Sequence, residues 1–388
     1  MKLFHTADWH LGKLVQGVYM TEEQRFVLNQ FIEAIDIEKP DAIIIAGDLY
    51  DRAVPPMEAV NLLDELLAEI VLKRGTPVLS IAGNHDSPSR LNFGSKLMQE
   101  TGLHIVGRLS KELKTVILND EYGEVHFHLI PYTDPSQVRY LFEDETVTSH
   151  QEAMRKIVEE INKNLDTTKR HVFIGHAFVT PFGEQEENTS DSERPLAIGG
   201  AEYVEASLFK DFHYTALGHL HQAHYVSNET IQYAGSPLKY SISEEHHKKG
   251  FYLVELDGNG KVKLEKRLLT PNRDMRTVEG YIDDILKQQV NEDFVFVKLL
   301  DETPIISPME QVRTVFPNAM HVERKVFQPT AQKNGEEQQS RRKMDDFTLF
   351  QAFYAEVSGS MPTEETETLF KEILEQSMAE EREEERKA

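Results

Sequence analysis

The stretch DAIIIAGDLYD, residues 41–51, decides the fold. Its nearly continuous apolar run is the pattern of a short strand buried on both faces. Gly47 then permits a sharp turn, and Asp48 and Asp51 follow at once. Polar residues just beyond a buried strand project into the crevice where open α/β sheets bind ligands.

The same arrangement recurs on either side. Upstream, residues 2–7 read as a strand followed by Asp8-Trp9-His10. Downstream, the run at 77–82 precedes Gly83-Asn84-His85-Asp86, and the runs at 171–175 and 214–217 precede His176 and Gly218-His219-Leu220-His221. Helical patterns lie between. Thr21-Glu22-Glu23-Gln24 has the form of a capping box, ahead of apolar residues at Leu28, Phe31, Ile32 and Ile35. Residues 57–72 and 151–165 read as helices, and residues 113–130 and 250–268 as hairpins turning near 119–123 and 257–260. Strand and helix in alternation predict an α/β layered domain.

The pattern changes near residue 270. Residues 278–288 read as a helix and 293–299 and 319–326 as strands, a small α/β unit. We therefore divide the chain into a domain at 1–270, a capping domain at 271–328, a polar linker at 329–344 and a helical tail at 345–388. The tail offers an aromatic stripe of Phe347, Phe350 and Tyr354, expected to be exposed, and a second helix with Leu369, Phe370, Ile373 and Leu374.

The 388 residues carry 42 Lys and Arg against 66 Asp and Glu, a net charge of −24. Taken alone, that charge argues against a phosphate-rich partner. Residues 331–388 account for −7 of it, however, and bound divalent cations would reverse the sign locally. The absence of Cys excludes a disulfide framework, thiolate metal sites and cysteine nucleophiles. No apolar h-region of a leader and no apolar stretch of spanning length is visible, so a cytoplasmic, nucleoid-associated protein is expected.

Carboxylates, an amide and imidazoles without sulfur suit hard to borderline divalent cations. Two such ions about 3.5–4 Å apart suit phosphoester hydrolysis. Each motif alone is weak, and the five in series are a strong signal.

The series D-x-H, GD-x-x-D, GNHD, GH and GHxH resembles the calcineurin-like metallophosphoesterase superfamily over about residues 1–250. HTADWHLGK (5–13), IAGDLYDRAVPP (45–56), IAGNHDSPSR (81–90), ALGHLHQ (216–222) and YAGSPLKYS (233–241) are similar to the narrower SbcD family of bacterial exonuclease subunits. The resemblance implies a sandwich of two sheets flanked by helices, with a small α/β capping domain and a C-terminal helical tail. It implies one metal on Asp8, His10 and His221, a second on Asn84, His176 and His219, and Asp48 bridging them. The expected ions are Mn²⁺, with Mg²⁺ as the substitute. His85 is implied as general acid, Asp51 as the carboxylate that orients it, and Arg52, Arg90 and Ser236 as substrate contacts. The implied reactions are ATP-dependent 3′→5′ degradation of duplex DNA and endonuclease cleavage of single strands and hairpins, in repair, recombination and replication. No Walker A motif is present, so ATP dependence would come from an SbcC-type ATPase of the SMC class, held by the C-terminal helices. A homodimer within a heterotetramer is implied, with the helix at 57–72 in the dimer surface. The alternative reading is a dinuclear-metal phosphatase or nucleotide phosphodiesterase.

Blander roles are expected elsewhere. His5 reads as core or as a hydrogen-bond partner behind the site, His126 and His128 as one face of a sheet, His246-His247 as a solvated loop, and Asp86 as the cap of the following helix.

Overall fold

The computed structural model describes residues 1–183, 190–193, 203–324, 346–358 and 360–385. It divides into two units, Met1–Met275 and Arg276–Ala388.

The first unit holds two six-stranded sheets. In one, Lys2–Thr6, Ala42–Ile45, Val78–Ile81 and Leu103–Val106 are parallel neighbours, and the Gly250–Leu256 and Val262–Leu268 hairpin adds antiparallel strands. In the other, Gly123–Ile130, Arg170–His176, Tyr214–Gly218 and Asn228–Tyr233 are parallel, with Thr115–Asp120 and His224–Val226 antiparallel at the edges. The sheets share a core containing Leu3, Ala42, Ile44, Leu79, Phe127, Val172 and Ala216. The alternate residues Phe4, Ile43, Ile45 and Val78 face outward, onto Thr21–Glu38 and Met57–Leu67. The period of two therefore explains the unbroken AIII run: both faces of that strand are buried. A third core, on His150–Asn162, covers the second sheet's outer face.

Two local expectations fail in this unit. The first long helix is entered through Met20 with no side-chain cap, so the Thr21–Gln24 box does not form. The Gln24 amide instead donates to the Trp9 and His10 carbonyls at 3.0 and 2.8 Å and accepts from Gly12 N–H. A buried amide that satisfies three backbone groups outweighs one exposed cap. The second helix changes after Leu67 to a π-wound turn, Ala68–Lys73.

In the second unit, Met275–Gly280, Phe294–Leu299 and His321–Arg324 form a three-stranded sheet around Val278, Ile285, Val295, Val297 and Phe316. The helix expected at 278–288 is thus a strand that ends at Gly280, followed by the four-residue helix Ile282–Ile285. The spacing of Val278, Ile282 and Ile285 imitates a helical stripe across two elements. The linker expected at 329–344 lies outside the described residues. Beyond it, Asp346–Ser358 and Glu364–Glu385 are helices whose Phe350 and Phe370 rings stack at 3.9 Å and 7°. Phe347 also faces Phe370, and Phe350 faces Tyr354. The stripe expected to be exposed is therefore half-buried, and Leu349, Phe353, Leu369 and Ile373 are the large apolar residues the two helices expose.

Candidate metal centre

The candidate residues come from the ends of five strands, three in one sheet and two in the other, parallel to one another within each sheet. Backbone bonds join them: Asp8 N–H donates to the Gly47 carbonyl at 3.1 Å, and His219 N–H donates to both Asp8 carboxylate oxygens at 3.0 and 3.1 Å. Asp8, His10, Asp48 and His219 all hold positive φ, at 54°, 45°, 51° and 108°. Non-glycine residues rarely persist there unless the surrounding structure imposes it, and such positions concentrate at functional sites. Close approach explains the glycines. A Cβ on Gly83 would meet Asp48 Oδ1 at 2.1 Å, and one on Gly47 would meet His176 Nδ1 at 2.3 Å.

Asp8, His10, Asp48, His176, His219 and His221 are buried, whereas Asn84 and His85 are half-buried and form the way in. Three triads bring ligand atoms within 4.8 Å of one another: Asp8–His10–His221, Asp8–Asp48–His176 and, at the mouth, His10–Asp51–His85. Asp48 Oδ2 lies 3.6 Å from His10 Nε2 and 3.4 Å from His176 Nε2, between the two. Asn84 Oδ1 is 2.9 Å from His176 Nε2. His219 enters the same chamber, its ring 5.5 Å from that of His176, but joins none of the three triads.

The donor set fits divalent cations. A carbonyl only accepts, so His176 Nδ1, 2.9 Å from the Ala46 carbonyl, carries a hydrogen, and Nε2, which faces Asn84 and Asp48, is the nitrogen a cation would take once its own proton leaves. His221 Nδ1 is 3.1 Å from the Glu244 carboxylate, which likewise leaves its Nε2 as the nitrogen directed at His10 Nε2, 3.0 Å away. His10 Nδ1 has no hydrogen-bond partner among the described residues. Acceptors that converge in this way need either a shared proton or a cation. Burial would lower the His176 pKa, but Asp48 and Asp8 overcome it and raise it to about 9. Burial raises Asp8 to about 7 against the pull of His176 and His221. Burial acts upward on Asp48 too, yet His176 and His10 hold it below the carboxylate range.

Behind the triads lies a supporting layer that motif reading missed. Glu244 is fully buried, pairs with Lys249 Nζ at 2.5 Å and holds His221. Such carboxylate–imidazole pairs fix the tautomer of a metal-binding His. Glu193 accepts from His221 N–H at 2.6 Å, and the Tyr240 hydroxyl donates to the Trp9 carbonyl. Glu193, Glu244 and Lys249 stand in none of the quoted motifs, and only their distance from His221 in the fold marks them.

Three further side chains are held by bonds the motifs did not show. The His85 ring is held by the Asp51 backbone carbonyl, 2.8 Å from Nδ1, and not by its carboxylate. That carboxylate pairs with Lys13 at 2.9 Å. Ser236 is buried, donating to the Leu238 carbonyl and accepting from Lys249 Nζ at 2.8 Å, so its hydroxyl is committed within the fold. Asp86 does not cap the next helix, whose N-cap is Ser87. Its carboxylate accepts from Leu49, Tyr50 and Gly83 N–H and ties the two central loops together. Arg52 and Arg90 are exposed. His5 is core, 2.8 Å from the Tyr214 hydroxyl.

Comparison with known proteins matches the calcineurin-like phosphoesterase family over residues 1–223. It matches the type 5 capsule protein repressor C-terminal domain over residues 271–358. The SbcD subunit of the nuclease SbcCD from Staphylococcus saprophyticus subsp. saprophyticus is 34% identical over 363 residues, covering 92% of this chain and 94% of that one. Its namesake from Staphylococcus epidermidis is 34% identical over 358 residues, covering 91% and 92%. A solved dimetal phosphatase from Danio rerio, 12% identical, covers 70% of this chain and 97% of its own with a TM-score of 0.40. The sandwich, the order of its motifs and the near full-length similarity place this chain in the calcineurin-like phosphoesterases and, among them, in the SbcD family of SbcCD nuclease subunits.

Proposed function

We propose that the chain is the nuclease subunit of an SbcCD-type assembly, a DNA phosphodiesterase with two divalent ions, Mn²⁺ by preference. The observation that carries this is the convergence of Asp8, His10, Asp48, His176 and His221 in one buried chamber, with Asn84 and His219 beside His176 and His85 at the mouth. Asp8, His10 and His221 would hold one ion, Asn84, His176 and His219 the other, and Asp48 would bridge. The bound ions supply water activation and neutralise charge on the phosphate oxygens.

The chain's own groups do the rest. Asp51's carbonyl accepts from His85 Nδ1, so Nε2 is the nitrogen that gains and loses a proton. His85 N–H donates to Asp48 Oδ1 at 2.9 Å, which fixes the ring beside the bridging carboxylate. His85 then protonates the departing sugar oxygen. Arg52 and Arg90 steer the strand toward the mouth.

The reactions proposed are 3′→5′ exonuclease action on duplex ends and cleavage of single strands and hairpins, at the nucleoid in the cytoplasm. ATP dependence would come from an SbcC-type partner docked on the C-terminal helices, whose exposed Leu349, Phe353, Leu369 and Ile373 support that use. Exposed Met57 and Leu72 support a homodimer within a heterotetramer. The test incubates the purified chain, with and without SbcC and ATP, with labelled hairpin DNA and Mn²⁺. Metal-dependent cleavage is expected. Hydrolysis of p-nitrophenyl phosphate without DNA cleavage in any combination favours a phosphatase instead.

A further inference from the structure

On the edge of the first sheet, the strand Leu103–Val106 and the segment after it wall a pocket of 380 Å³, closed on the other side by the short helices around residues 92–99. Four of its lining residues are Lys96, His104, Arg108 and Lys114, and none is acidic. In a chain of net charge −24 this is an unusual concentration. Cations elsewhere are mostly matched: Arg74 pairs with Asp36 and Glu69, and Lys156 with Asp144 and Glu160. Here they are not. Arg108 donates to the Ser89 hydroxyl and Lys114 to the Gln99 amide oxygen at 3.1 Å, both neutral partners. Lys96 forms no ion pair with the described residues.

Like charges gathered round one concavity raise one another's energy, and an anion seated there relieves it. His104 lines the same wall. His104 Nδ1 is buried and finds no hydrogen bond among the described residues. Burial, and then Lys114, hold the ring's pKa below its ordinary value, so at neutral pH it is an uncharged donor or acceptor. The Arg108 guanidinium offers the planar fork that matches phosphate oxygens. A pocket of 380 Å³ exceeds what one phosphate fills and falls in the range of small-ligand sites, so it has room for the esterified group. None of the lining residues belongs to the metal centre.

We propose that this pocket is a second phosphate site, which binds a phosphate ester through Arg108, Lys114, Lys96 and His104, separately from the metal centre. The ester is a free nucleotide or a backbone phosphate of a bound strand, and the two sources share this chemistry. The test is isothermal titration of the full-length, Mn²⁺-loaded protein with inorganic phosphate, with dAMP and with a short blunt DNA duplex. It compares the wild type with Arg108→Ala/Lys114→Ala and with Lys96→Ala. All three side chains are exposed, so unchanged melting temperatures are expected. Loss of two charge-assisted contacts should remove one phosphate-binding event in the double variant, or weaken it by about tenfold or more. Weaker dAMP binding with unchanged duplex affinity assigns the site to free nucleotides. Weaker duplex binding, with a shallower dependence on salt, assigns it to the strand. Superimposable isotherms for wild type and both variants with all three ligands overturn the proposal.

Discussion

Glu244→Gln is the most informative single change, because it keeps the shape and removes the charge. The wild-type carboxylate serves donors on both oxygens at once, the Ser190 and Ser192 hydroxyls on Oε1 among them. Oε1 faces His221 Nδ1 at 3.1 Å, and Oε2 faces Lys249 Nζ at 2.5 Å and Tyr240 N–H at 3.3 Å. An amide has one acceptor oxygen, so its NH₂ must confront either the imidazole N–H or the ammonium. If it confronts the ammonium, Lys249 becomes a buried charge without a counter-charge. Breaking a buried pair on one side costs about 3–5 kcal/mol. If it confronts His221, the ring loses its anchor, and removing such a support costs about 10- to 100-fold in metal affinity. The assay is urea unfolding with and without EDTA, together with Mn²⁺ titration. Glu244→Gln/Lys249→Met separates the effects: it should recover most of the stability but not the metal affinity. Wild-type stability and wild-type Mn²⁺ affinity in Glu244→Gln would refute the reasoning.

Four other outcomes are expected. His85→Ala should abolish DNA cleavage while metal content by atomic absorption stays at the wild-type level; lost metal would make His85 a ligand. Mn²⁺ binding near neutral pH should release protons, because His176, raised to about 9, must give up its proton to ligate; calorimetry in buffers of different ionisation enthalpy reads the number, and zero contradicts the site. Burial lowers His5 to about 3, and burial with His171 and His126 lowers His128 to about 3. The unfolded chain binds those protons more readily, so this stability is whole above the ordinary pKa of about 6.5 and is lost as pH falls from there toward about 3, by about 1.4 kcal/mol per pH unit for each group. Urea midpoints for wild type and His128→Gln should converge as pH falls, and parallel curves count against it. Removal of residues 341–388 should abolish co-elution with SbcC and leave metal content unchanged; retained co-elution places the docking surface elsewhere.

Much of the candidate site was legible in the sequence because its residues sit within four positions of the ends of strands whose apolar runs are unmistakable. Asp48 after AIIIAG and His176 after the run at 171–175 needed only the turn chemistry of glycine and the direction of parallel strands. Local reading failed where one pattern served two purposes. Thr21–Gln24 satisfied a capping rule, yet tertiary contact offered Gln24 three buried backbone partners. The aromatic stripe of the tail had the spacing of an exposed face, and the second helix covered it.

The sequence by itself determined which donor types stand at the strand ends, since residue type and strand-end placement are local properties. The tertiary structure alone decided which groups hold those donors in place. Glu244 and Lys249 stand more than twenty residues from His221, and Gln24 fourteen from His10, so no spacing rule connects them. Their effect depends on burial, which strengthens a charge pair and penalises an unpaired donor. Burial is a property of the packed sheets and not of any single segment.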